Sequence, residues 1–115
     1  MTRAYTRRSS PFGRALRFIR MTLRLKRVDL AAAANDQYVG SLEIGLKSPT
    51  LNMVEKLADV MQVHPLTLLV LTYGGSSDDD ATEKLLVQVH SQILALKDFN
   101  HQSDFRDSRV PENET

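Results

Sequence analysis

Apolar positions recur along most of this chain at spacings of three and four, the period of helices buried along one side. Phe12, Leu16, Ile19 and Leu23 form the first such stripe, with arginines between them. The alanine run inside Val28 to Ala34 predicts a second, short helix on propensity alone. Asn35 is a good N-cap and Asp36 suits a first turn, so a third helix is expected from there to near Gly45. After the loop "LKSPT", Thr50 caps a fourth helix whose stripe is Leu51, Val54, Leu57, Ala58 and Met61. Pro65, just after His64, fits the first turn of a fifth helix running to about Tyr73. "GGSSDDD", residues 74–80, reads as a linker. It ends on Asp80, which with Glu83 resembles a capping box for a sixth helix over Ala81 to Phe99. The ends are polar and expected to be disordered. The pattern thus predicts an all-α chain: a flexible basic arm (1–11), a five-helix domain (12–73), a linker (74–80), a C-terminal helix (81–99) and a polar tail (100–115).

Charge changes the picture more than composition does. The 115 residues carry a formal net charge of +1, yet Arg3, Arg7, Arg8, Arg14, Arg17, Arg20, Arg24, Lys26 and Arg27 all precede the first acid, Asp29. The other six of the 15 basic residues share the chain with all 14 acids. Such asymmetry points to a polyanionic partner for the N-terminal end. The absence of cysteine excludes disulfides, thiolate metal sites and a cysteine nucleophile, and suits a reducing cytosol. No apolar run approaches the ~20 residues of a membrane span, and the basic start lacks the apolar core of a secretory signal. A cytoplasmic, nucleoid-associated protein without membrane contact is expected.

Catalysis finds no foothold. His64 reads as a helix cap, His90 lies beside the stripe of the sixth helix, and His101 is in the tail. None has a spacing that binds a metal or activates a nucleophile. No glycine-rich phosphate loop is present. The acidic triplet Asp78 to Asp80 has too little around it for a calcium loop. No catalytic residue, metal or cofactor is expected.

The order of residues between 13 and 71 carries a more specific signal. "GRALRFIR" (Gly13 to Arg20), "DLA" (Asp29 to Ala31), "YVGSLEIG" (Tyr38 to Gly45) and "KSPTLNMVEKLADVMQVHPLTLL" follow one another over about half the chain. In that order they resemble the Cro/Xre-type helix-turn-helix, the lambda-repressor-like DNA-binding domains. The resemblance implies a bacterial or phage transcriptional regulator, most simply a repressor, that binds double-stranded operator DNA as a homodimer through a recognition helix in the major groove. It maps base contacts onto Asp36, Gln37 and Ser41, on an outer face that also includes Gly40. Gln37 can pair bidentately with adenine, Ser41 can donate or accept, and Asp36 can only accept. Phosphate contacts fall on Arg27 and on Lys47 and Ser48 of the following loop, with the arm arginines Arg3, Arg7 and Arg8 along the backbone or in a groove. Tyr38 either hydrogen-bonds a phosphate or packs. Arg20 and Glu43 occupy the places of an interior ion pair that would lock the recognition helix to the first helix.

This sequence also departs from the family pattern. The stretch from Leu30 to Tyr38 is two residues short, the turn glycine is missing, Lys26 stands at a cap and Ile44 follows the glutamate. The second helix must therefore end early or the turn must tighten. The shortened turn and Asp36 leave open an alternative, a protein-interaction regulator of antitoxin or antirepressor type with DNA binding secondary.

In the sixth helix, Leu86, Val89, Ile93 and Leu96 are spaced three, four and three apart, an a/d seam of about two heptads. Either this helix folds back on its own domain or it joins a twin. Dimerisation through these four residues is the favoured expectation, since one module alone binds DNA weakly.

Overall fold

The computed structural model describes residues 10–75 and 78–103. These form five α-helices and one 3-10 turn, with no strand among the described residues: α1 Pro11–Thr22, the turn Arg27–Leu30, α2 Asp36–Glu43, α3 Leu51–Met61, α4 Pro65–Gly74 and α5 Asp79–Ser103. The chain is all-α.

Local chemistry explains most boundaries. Ser10 Oγ accepts from the Gly13 amide (2.9 Å), so the first helix opens one residue earlier than its apolar stripe implies, with Pro11 in the first turn. Asn35, Thr50 and His64 cap the next three helices in the same way, His64 through Nδ1 on the Leu66 amide (3.0 Å). Gly45, at φ 85°, closes the stretch after α2 with a left-handed residue.

Two expectations are corrected. Val28 to Ala34 is not a helix: four residues form a 3-10 turn, and the amides of Ala33 and Ala34 both return to the Leu30 carbonyl (2.8 and 3.1 Å). Asn35 must be extended (ψ 164°) to cap α2, and the short connection from Leu30 to Asp36 leaves no room for a full helix before it. Chain reversal overrides the propensity of the alanines. The cap of α5 is Asp78, whose Oδ1 accepts from the amides of Asp80 and Ala81 (3.0 and 3.2 Å). Asp80 lies inside the helix, 3.4 Å from Lys84 in an exposed pair, worth little by itself.

Leu16, Leu30, Val39, Leu42, Leu57 and Leu68 are fully buried, with Phe12, Ile19, Val54 and Met61 completing one core. Each such side chain contributes roughly 1.5–3 kcal/mol of burial. The core is built by α1 against α4, α1 against α2, α3 against α4, and the 3-10 turn against α2 and α3. α5 touches α4 near its start, where Leu85 and Thr82 approach Gly74. No helix among the described residues is long and apolar enough to cross a membrane.

Candidate nucleic-acid interface

α2 is short because each end is fixed by a side chain or a glycine. Asn35 Oδ1 accepts from the Tyr38 amide (2.8 Å) at its start, with the Asp36 carboxylate in the first turn, where the helix dipole favours an anion. Val39 and Leu42, three apart, are fully buried, while Asp36 and Gln37 are exposed. The helix thus presents its N-terminal turn outward and its C-terminal turn inward.

What holds it there is a buried ion pair. Arg20 Nε donates to Glu43 Oε2 (2.6 Å) and Nη2 to Oε1 (3.1 Å), a bidentate fork. Its remaining nitrogen, Nη1, donates to the Leu25 carbonyl (2.8 Å). Both charged residues are buried, at 7% and 4% exposure. All three Arg20 nitrogens are engaged inside the protein, so its role is structural. One side chain ties α1, the loop after α1 and the last turn of α2 together.

Two glycines make this arrangement possible, and neither role is visible from apolar spacing. At Gly13 an added Cβ would collide with the backbone carbonyl oxygens of Leu42 and Glu43, so the backbones of α1 and α2 can approach only because there is no side chain. At Gly40, in the middle of an eight-residue helix, a Cβ would lie 3.2 Å from Arg27 Nη1. A glycine inside a helix was the available signal, since it costs roughly 0.5–1 kcal/mol relative to alanine and calls for a packing reason.

Arg27 is therefore placed differently from a side chain reaching freely from the turn. Its guanidinium lies across Gly40 and its Nε is 3.5 Å from Glu43 Oε1, while the side chain stays 45% exposed. Glu43 thus serves two arginines, one buried and one at the surface. Ser41 is half-buried rather than fully on the outer face, and its carbonyl accepts the amides of Leu46 and Lys47 (2.9 and 3.3 Å) from the returning loop. Tyr38 is half-buried and packs against the core, so of its two roles packing is the one observed.

Lys47 and Ser48 are exposed on that loop and border a cleft of about 390 Å³ shared with Ser10, Pro11 and Tyr73. The root of the N-terminal arm and the loop after α2 therefore lie side by side. Arg3, Arg7 and Arg8 fall outside the described residues. Leu86, Val89, Ile93 and Leu96 are all exposed, at 49, 43, 43 and 67%. The helix does not fold back along its seam, and it is not wholly free of the domain either, since its first turns pack on α4. Among the described residues no group of histidines and carboxylates is arranged to hold a metal.

The first turn of α2, with Asp36 and Gln37, is exposed, Arg27 is half-exposed across Gly40, and Lys47 is exposed on the loop after α2. No protein-family model matches the chain, and no curated protein or solved structure matches it significantly.

Proposed function

We propose that the protein is a sequence-specific, double-stranded DNA-binding transcriptional regulator, a repressor acting as a homodimer in the cytoplasm, with α2 as its major-groove recognition helix. The observation that carries this reading is the division of α2. Asp36 and Gln37 stand in solvent on a helix whose opposite side is locked by Val39, Leu42 and the Arg20–Glu43 fork. A short polar helix end held rigidly outward suits base reading in the major groove. The cations before Asp29, apart from the buried and paired Arg20, supply charge for the phosphate backbone.

Gel shifts across a salt series test this. Affinity should fall with a log–log slope of about −0.9 per phosphate neutralised. Selection from random duplexes should return one preferred operator. On that operator Gln37→Ala should relax preference at one base position by ~1–3 kcal/mol, whereas Arg27→Ala should weaken every sequence alike. Uniform weakening by Gln37→Ala would remove it from base reading.

The second reading, a protein-interaction regulator, is favoured by Ile44 (42% exposed) and Leu46 (74% exposed), two apolar side chains beside the end of α2. Binding that ignores both salt and sequence, with DNA outcompeted by a protein partner, would select it.

A further inference from the structure

α5 is a 25-residue helix, about 37 Å long at 1.5 Å per residue, and its seam is bare over most of that length. The face that begins against α4 with Thr82 and Leu86 continues outward as Val89, Ile93 and Leu96. At the near end an apolar groove of about 420 Å³ opens between α4 and α5, lined by Leu66, Thr67, Val70, Leu71, Thr82 and Leu86. Groove and stripe are one continuous surface.

The order of residues on α5 says what covers it. The seam Leu86, Val89, Ile93, Leu96 reads the same in both directions, three, four, three. An antiparallel copy therefore sets Leu86 against Leu96 and Val89 against Ile93, twice over. With Leu86 and Ile93 as a positions and Val89 and Leu96 as d, the flanking e positions are Glu83, His90 and Lys97, and the g positions are Leu85, Gln92 and Phe99. Antiparallel pairing brings e to e and g to g, so Glu83 meets Lys97, His90 meets His90, Gln92 meets Gln92, and Leu85 meets Phe99. Parallel pairing brings g to e and yields Leu85 with His90 and Gln92 with Lys97, with no opposite charges facing.

We infer that a second copy of this chain docks antiparallel along α5, with Leu96 and Phe99 of each copy covering the α4–α5 groove of the other. The most exposed seam residue, Leu96, falls opposite Leu86 in the groove wall. Leu66, Leu86, Val89, Ile93, Leu96 and Phe99 are all exposed, so each copy brings an extended apolar surface to the contact. The contact is isologous, as a two-fold dimer requires. This rests on the homodimer of the proposed function and adds its direction and its second surface.

The chain has no cysteine, so Leu86→Cys and Leu96→Cys, both at exposed positions, can be made singly. One is tagged for mass, and the two are mixed and oxidised. Antiparallel docking predicts a mixed disulfide dimer, with self-linking of either variant at least tenfold lower, because like positions are then ~15 Å apart and beyond the ~7 Å Cα reach of a disulfide. Self-linking as strong as mixed linking overturns the arrangement and leaves the homodimer standing. No linking with a dimeric mass in sedimentation does the same. No linking with a monomeric mass overturns both, and gel shifts then report on DNA binding independently. As a second measure, Glu83→Lys should lower the dimer fraction and adding Lys97→Glu should restore it. Failure of that rescue overturns the e-to-e pairing.

Discussion

The last turn of α2 and the middle of α5 are opposite solutions to placing a helix. Glu43 is held by two arginines, a glycine lets α1 approach its backbone, and two side chains of the same helix are fully buried. α5 has an apolar stripe that nothing among the described residues covers beyond the first turns. One helix is over-determined within the chain, and the other leaves its apolar stripe exposed. On the proposed function, the rigid helix is the one that reads DNA and the exposed stripe is the one that meets a second copy.

The contrast can be broken at its strongest point first. Glu43→Ala should leave the buried Arg20 charge unpaired and destabilise the domain by ~3–5 kcal/mol in urea unfolding. A loss below about 1 kcal/mol would mean that Arg20 finds water instead. Gly13→Ala should come next, at ~1–3 kcal/mol, because the new methyl meets backbone carbonyls that cannot rotate away. A neutral result would show that α1 can slide. Asn35→Ala should cost ~1 kcal/mol by removing the cap of α2, read by thermal melting. Smallest of all, Ile93→Ser should change unfolding by no more than about 0.5 kcal/mol at concentrations where the chain is monomeric. The same variant should lower self-association in sedimentation. A large intrinsic loss would place Ile93 in the body of the fold and erase the comparison.

Much of this was legible in the sequence, for reasons that differ by position. Asn35, Thr50 and His64 declare helix starts through local chemistry, and no distant contact contradicts them. The stripes of α1 and α3 are buried as their period predicts except at the ends, where Leu23, beyond the last turn of α1, and Leu51, at the first residue of α3, are exposed. Local propensity failed at Ala31 to Ala34, where the need to reverse the chain outweighs four good helix formers. At α5 the capping box read at Asp80 and Glu83 was misplaced by two residues, because a run of three aspartates gives local chemistry no way to choose among them, and Asp78 caps the helix. On the candidate interface, Asp36 and Gln37 are exposed as their period implies. The half-burial of Ser41 and the inward turn of Arg27 depend on a loop and a glycine brought together only by folding. Gly13 and Gly40 carry no side chain whose periodicity could announce them.

The Arg20 side chain reaches three segments at once, so the last turn of α2 has no cheap way to open alone. Parting it from α1 strips the Glu43 carboxylate and two guanidinium nitrogens of Arg20 of their partners together, while the Leu25 carbonyl keeps the guanidinium from following. Amide protons near Glu43 should therefore exchange with deuterium only as fast as the whole body unfolds, while those late in α5 of an isolated monomer exchange by fraying. The last turn of α2 and the body that holds it then melt as one cooperative unit.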